Sequence, residues 1–224
     1  MKQFILICII GITMLILAIA IAVNASSNPF PLLGKMIIID PGHGGKDPGA
    51  VVGDIKEKDI NLAVSLILEE KLLNLGAIVY LTRSKDYDLA TPGAHHRKRS
   101  DILSRVRVIN NANPDLYLSI HVNAYNSNRW YGANVYFDDV NPKNELIAKT
   151  FQEGFKKDLK SPRSAMRVSH LLMQRLIKPP GVLIEVGFIS NPHERNQMTK
   201  KSYQTKLANS ITNSILRLNQ EKSI

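Results

Sequence analysis

The chain has 224 residues, 44% of them hydrophobic and 21% charged, with a formal net charge of +10. That length suits one globular domain around a single sizeable core. The one cysteine, Cys8, lies in an apolar leader, which excludes a disulfide framework, a thiol nucleophile and a cysteine-rich zinc site in the folded part.

Residues 4–23 form a run of twenty without a charge, preceded only by Lys2. Such a run is long enough to cross a bilayer as a helix. Lys2 stays on the cytoplasmic side by the positive-inside rule, so the rest of the chain is expected outside. Val23, Asn24 and Ala25 put small residues where a signal peptidase cuts, so a retained anchor and a cleaved signal both fit. The expected organisation is 1–25 as anchor or signal, 26–34 as a linker with Pro29 and Pro31, and 35–224 as one folded domain. Lys2 is the only charge before residue 26, leaving 28 Lys and Arg against 19 Asp and Glu, a net +9. An exported basic domain suits anionic wall polymers, membrane lipid or an acidic partner, and equally a plain solvated basic surface. No nucleic-acid-binding motif is present.

The apolar run 36–39 predicts a buried strand that ends at Asp40 and opens into a loop with Gly42, Gly44, Gly45, Gly49 and Gly53. Ile60, Val64, Ile67, Leu68, Leu72 and Leu75 recur at helical spacing, with Gly76 at the C-cap position. Residues 77–82 predict the next strand. Residues 84–99 read as a loop, followed by a helix with Ile102, Leu103, Val106 and Ile109 on one side. Strands are expected at 116–121, 133–137 and 182–186, and helices at 144–159 and around Leu207 to Leu218. Strands alternating with helices predict an α/β fold: a single domain with a central, mostly parallel mixed sheet flanked by helices on both faces. In such sheets, sites form beyond the carboxyl ends of the strands.

Four polar residues stand out against this pattern. His43 follows the first strand, His121 ends another, Glu185 lies inside the apolar VLIEV, and Glu57 begins the first long helix. A carboxylate in an apolar strand is costly unless something charged meets it. Two histidines and a carboxylate are a common catalytic zinc set, and a second carboxylate can move protons. His43, Glu57 and His121 fit the first role and Glu185 the second. Spacing alone leaves this open, since a strand-end histidine is more often structural and no HExxH helix is present. No phosphate-binding glycine motif and no GxSxG elbow occurs.

The segments IIIDPGHGGKDPGA, KEKDINLA, LYLSIHVNA and VLIEVGFISNP, in that order, resemble the four signature blocks of the zinc-dependent N-acetylmuramoyl-L-alanine amidases. The resemblance covers about residues 35 to 218. It implies hydrolysis of the amide between N-acetylmuramic acid and L-Ala of the peptidoglycan stem peptide. It implies one Zn2+ held by His43, Glu57 and His121, with Glu185 as the catalytic acid/base; Asp59 stands close by, and the E-K-x-x-N-L frame favours Glu57. The single apolar leader and the stretches RKRSDILSRVRVIN and LLMQRLIKPPGVLIEVGF are similar to the sporulation-type, germination-specific branch of the family. That branch implies spore cortex as substrate, maturation towards muramic δ-lactam, a forespore-envelope location and a possible lipoprotein activator. Two other readings remain: a non-catalytic peptidoglycan-binding scaffold on the same fold, and a zinc peptidase cutting within the stem peptide.

Other residues carry weaker signals. Asn123, in HVNA, is a candidate for binding substrate or simply a strand-end residue. Trp130 and Tyr131 are candidates for lining a sugar or peptide groove, or for packing. His95 and His96 sit in the basic run ending at Arg99 and read as an exposed loop. His170 and His193 have no carboxylate frame, and the lysines of 144–159 fit a solvated face.

Overall fold

The computed structural model describes residues 9–16 and 29–224. The anchor-or-signal segment therefore lies mostly outside the described residues; of it, 9–16 is helical and exposed. No helix among the described residues is long and apolar enough to cross a membrane.

The strands are β1 (Met36–Pro41), β2 (Val51–Val52), β3 (Ile55–Lys56), β4 (Ile78–Leu81), β5 (Leu116–Asn123), β6 (Asn134–Phe137), β7 (Met166–Arg167) and β8 (Gly181–Phe188). The helices of the domain are α1 (Glu57–Asn74), α2 (Arg97–Ala112), α3 (Asn144–Leu159), α4 (Leu172–Leu176), α5 (Pro192–Met198) and α6 (Lys201–Gln220). Six strands form one sheet in the order β4-β1-β5-β8-β6-β7. β4, β1, β5 and β8 run parallel, and β6 turns antiparallel to β8. This is the mixed, mostly parallel sheet that the sequence predicts.

Strands buried on both faces must be apolar on both, and the runs show it. Ile37 and Ile39 of β1, with Leu118, Ile120, Val182 and Ile184, join a core built with Leu68 and Leu72 of α1, Phe151 and Phe155 of α3, and Ile211 and Ile215 of α6. Ile38 and Tyr117 point the other way, into a smaller cluster with Val106 and Ile109 of α2 and Met173 of α4. Each such buried side chain contributes roughly 1.5–3 kcal/mol relative to exposure. Helices thus cover both faces, as expected.

The glycine-rich loop after β1 contains a feature absent from the sequence prediction. β2 and β3 pair antiparallel around Gly53 and Asp54, with Gly53 at φ 58°. A two-residue hairpin of this kind needs positive φ, which glycine supplies without a Cβ clash. The hairpin delivers the chain into the first turn of α1.

Candidate active site

The site forms where the carboxyl ends of β1, β5 and β8 meet the first turn of α1. His43 leaves β1 two residues after its last strand residue and holds a left-handed backbone, φ 61°. That conformation is uncommon for a residue with a side chain. Arg105 of α2 fixes it, donating from Nη2 to the His43 carbonyl at 2.6 Å. The His43 Nδ1 faces Asp47 Oδ2 at 2.9 Å, which leaves Nε2 directed inward, 3.2 Å from Glu57 Oε1.

Glu57 is the first residue of α1. A carboxylate there meets the positive end of the helix. Its Oε2 accepts from the Ala50 amide at 2.9 Å and its Oε1 from the Val122 amide at 3.1 Å. The His121 Nδ1 approaches the same Oε1 at 3.0 Å. Burial would raise the Glu57 pKa, but hydrogen bonds and charge from His121 and His43 outweigh it and hold the group far below the usual range. For His43, burial opposes the charged form, and Glu57 and Asp47 outweigh that and raise its pKa.

Two glycines make room for this convergence. A Cβ on Gly42 would lie 2.2 Å from the His121 ring, and one on Gly49 would lie 2.5 Å from Glu57 Oε2. Gly49 also holds φ 67°.

His43, Glu57 and His121 each offer one ligand atom, all within 4.8 Å of one another, and they are the residues of this kind that cluster among the described residues. Two imidazole nitrogens and a carboxylate oxygen are a zinc donor set. Bonds of about 2.0–2.1 Å place tetrahedral ligands roughly 3.3 Å apart, close to the 3.2 and 3.0 Å found here. The Asp47 contact fits the hydrogen bond that orients a metal-binding histidine through its other nitrogen. The residues present fit the ion.

Glu185 lies on β8 directly opposite His121 of β5 in the parallel register. Its Oε2 is sealed from solvent and has no hydrogen-bond partner among the described residues. Burial first, and the Glu57 charge second, push its pKa well above the usual carboxylate value. Asn123 donates from Nδ2 to the Tyr136 hydroxyl at 3.2 Å. Burial, with charge from Tyr125 and Glu185, raises the Tyr136 pKa to about 12. Asn123 is therefore linked through Tyr136 to β6, the strand that pairs with β8. An apolar cavity of about 150 Å³ adjoins His43 and His121, walled by Ile102, Leu172, Met173 and Leu183.

Sequence reasoning missed the residues that hold the loop. Arg105 also donates to Asp40 Oδ1 at 2.7 Å, to the Pro41 carbonyl at 2.8 Å and to Asp101 Oδ2 at 2.8 Å. Arg83 donates to the carbonyls of Pro41, Gly42 and Lys58, each at 2.9 Å. Both arginines are buried. The one available signal was Asp40, an acid closing a run of isoleucines. Asp47 was likewise passed over, although it stands four residues from His43.

The other singled-out residues stay away from the cluster. His95 and His96 are exposed before α2, and His170 and His193 are exposed. Asp59 is an exposed acid in the first turn of α1. Lys149 pairs with Glu145 on the surface of α3.

Comparison with known proteins adds to this geometry. The family model described as N-acetylmuramoyl-L-alanine amidase matches residues 37–217. The chain is 42% identical over 205 residues to the germination-specific N-acetylmuramoyl-L-alanine amidase of Bacillus subtilis, covering 89% of this chain and 86% of that protein. Among solved structures it is similar to the CwlD amidase from Clostridioides difficile in complex with the GerS lipoprotein. That match has a TM-score of 0.80 at 32% identity and covers 84% of this chain and all of the other. It is also similar to an N-acetylmuramoyl-L-alanine amidase from Clostridium difficile 630, with a TM-score of 0.75 at 27% identity over 84% of this chain and 98% of that one.

Proposed function

The chain belongs to the N-acetylmuramoyl-L-alanine amidase family, and on that premise we propose a zinc-dependent reaction carried by His43, Glu57, His121 and Glu185. The reaction cleaves the amide joining N-acetylmuramic acid to L-Ala of the stem peptide. The observation that carries this reading is the convergence of two histidines on one carboxylate oxygen, with a carboxyl group opposite in register that has one buried oxygen unsatisfied by any described residue.

His43 Nε2, Glu57 Oε1 and His121 Nδ1 would hold the ion, and Asp47 keeps the His43 ring in the orientation that presents Nε2. Bound zinc polarises a carbonyl and lowers the pKa of water. Glu185 takes a proton from the attacking water and returns it to the leaving amine of L-Ala. A carboxyl group with a raised pKa suits both halves of that exchange near neutral pH. Asn123 and Tyr136 form the adjoining wall and hydrogen-bond the substrate there.

The likeness to the germination-specific enzyme of Bacillus subtilis supports spore cortex as the substrate, with muramic δ-lactam downstream. The similarity to an amidase solved with a lipoprotein supports a lipoprotein activator. The apolar segment 4–23 carries the domain 35–224 to the outer face of the membrane, as an anchor or a cleaved signal.

Mass spectrometry of digested cortex muropeptides tests the reading. Wild-type protein releases the stem peptide with a free amino group on L-Ala. Glu185→Ala loses activity by about 10²–10⁴-fold, the usual range for removing an acid/base group, while zinc content stays the same. A new amino group elsewhere in the peptide would instead show a peptidase. No release from zinc-loaded protein, even with its lipoprotein present, would leave only a binding scaffold.

A further inference from the structure

A shelf of aromatic side chains borders the catalytic cleft and takes no part in the chemistry above. Tyr125, Trp130 and Tyr131 leave 51%, 46% and 51% of their surface exposed. Large apolar groups held in water at one place mark a surface with a use. These three all lie on the connection between β5 and β6.

The shelf is built rather than loose. The Tyr125 ring stacks on Phe188 at 5.7 Å and 23°, and Trp130 lies 5.7 Å from Tyr125. The Arg163 guanidinium sits 4.5 Å from the Trp130 ring centre and 5.1 Å from that of Phe188. Arg163 is itself tied down, donating from Nε to the Tyr131 carbonyl at 2.8 Å. The Tyr125 amide donates to Ser190 Oγ, and the Asn191 side chain donates to the Asn128 carbonyl. A cation–π contact and these bonds fix the rings before any ligand arrives, which lowers the ordering cost of binding.

The shelf is continuous with the reacting end of the cleft. Tyr125 stacks on Phe188, Phe188 is the register partner of Asn123, and Asn123 donates to the Tyr136 hydroxyl. A shallow cleft of about 360 Å³ opens beside Tyr125 and Trp130, rimmed by Asn126 and Ser127.

We propose that this shelf is a carbohydrate subsite, which takes one pyranose ring of the glycan strand against Trp130 and Tyr125. A pyranose in its chair form presents a face of C–H groups, slightly positive, with hydroxyl and acetamido groups round its edge. The face of an aromatic ring is slightly negative, so the two flat surfaces attract. Asn126 and Ser127 offer donors and acceptors to the edge groups. The cleft beside Tyr125 and Trp130, about 360 Å³, has room for a single sugar ring. The proposal rests on the amidase reading, and assigns it the side on which the glycan lies.

Trp130 is the only tryptophan in the chain, so its fluorescence reports on the shelf alone. The full-length, zinc-loaded protein is titrated with chitotetraose, a glycan without peptide. A saturable change in emission is expected, and Tyr125→Ala weakens the binding about tenfold. With peptidoglycan as substrate, Trp130→Ala raises KM about tenfold and the loss falls on KM rather than kcat; Trp130→Phe restores most of it. Tyr80→Ala, an exposed aromatic on the far strand β4, changes neither readout. Emission insensitive to chitotetraose, with KM unchanged in Trp130→Ala, overturns the subsite while leaving the amidase reading intact. Chitotetraose binding by a protein that cleaves no amide removes the amidase reading and keeps the subsite.

Discussion

At the scale of single residues, the acids of this protein divide by what faces them. Glu185 has a sealed oxygen that nothing among the described residues satisfies, a costly arrangement that a reaction explains and packing does not. Asp40 is buried more deeply still but fully answered. Burial alone would raise its pKa; the Arg105 charge and hydrogen bonds from Thr82, Ser119 and Arg105 outweigh it and hold it below the usual aspartate value. A carboxyl group with a depressed folded pKa contributes stability that is complete above its unfolded pKa and is lost as pH falls through the folded value. Thermal melts between about pH 2 and 7 are therefore expected to show an acid limb, beginning below about pH 4, that is shallower in Asp40→Asn. The same variant takes from Arg105 one of its two carboxylate partners, Asp101 remaining, and loses less than the roughly 3–5 kcal/mol of a wholly unpaired buried charge. An acid limb of unchanged slope would show that other carboxyl groups carry the acid sensitivity. In the sequence, Glu185 was legible because a charge inside VLIEV has no ordinary reason to be there. Arg83 and Arg105 were not, because an arginine reads as surface until its carbonyl partners are known.

At the scale of elements, the site depends on how closely the loop after β1 lies on the end of β5. Gly42 is the point of contact, and a Cβ there would lie 2.2–2.3 Å from the His121 ring. Both neighbours are constrained, since Arg83 holds the Gly42 carbonyl and β5 is a central strand. Gly42→Ala is expected to turn His121 out of line. Zinc affinity, measured by competition with a chelating dye, falls about 10–100-fold, the range seen when ligand orientation is disturbed. Circular dichroism of the fold stays close to wild type; unchanged affinity would mean that the loop can retreat at no cost. The main strands and helices were legible from their apolar spacing, with ends shifted by a few residues: the strand expected at 182–186 runs Gly181–Phe188. The hairpin of β2 and β3 was not, because two-residue strands carry no periodicity. The short β7, α4 and α5 were missed for the same reason.

At the scale of the whole molecule, the cluster joins three segments that are distant in the chain: the loop after β1, the start of α1 and the end of β5. An ion held there binds the folded chain and finds no such site in the unfolded one. Such linkage stabilises by about 2.7 kcal/mol at a free concentration one hundred times Kd. Chelation is expected to lower the melting temperature of the wild-type protein and to leave His121→Ala unchanged in differential scanning calorimetry. An equal effect of chelator on both would place the ion elsewhere. The fold class followed from alternating strands and helices, while the meeting of positions 43, 57, 121 and 185 came from resemblance and then from the folded geometry. Spacing could not supply it, because strand order is not written in any local window.

The reversal of β6 has an evolutionary consequence. The parallel strands β1 and β4 are joined by a helix that carries the chain back beneath the sheet, and changing that link disturbs the core. β6 runs antiparallel to β8, so the chain leaving β5 turns over at the same end of the sheet and re-enters without a crossing. The stretch between Asn123 and Asn134 is thus a rim segment whose length and chemistry can drift without refolding the domain. Variants can lengthen or trim it while His43, in the loop after β1, Glu57, at a helix start, and His121 and Glu185, on their strands, stay where they are.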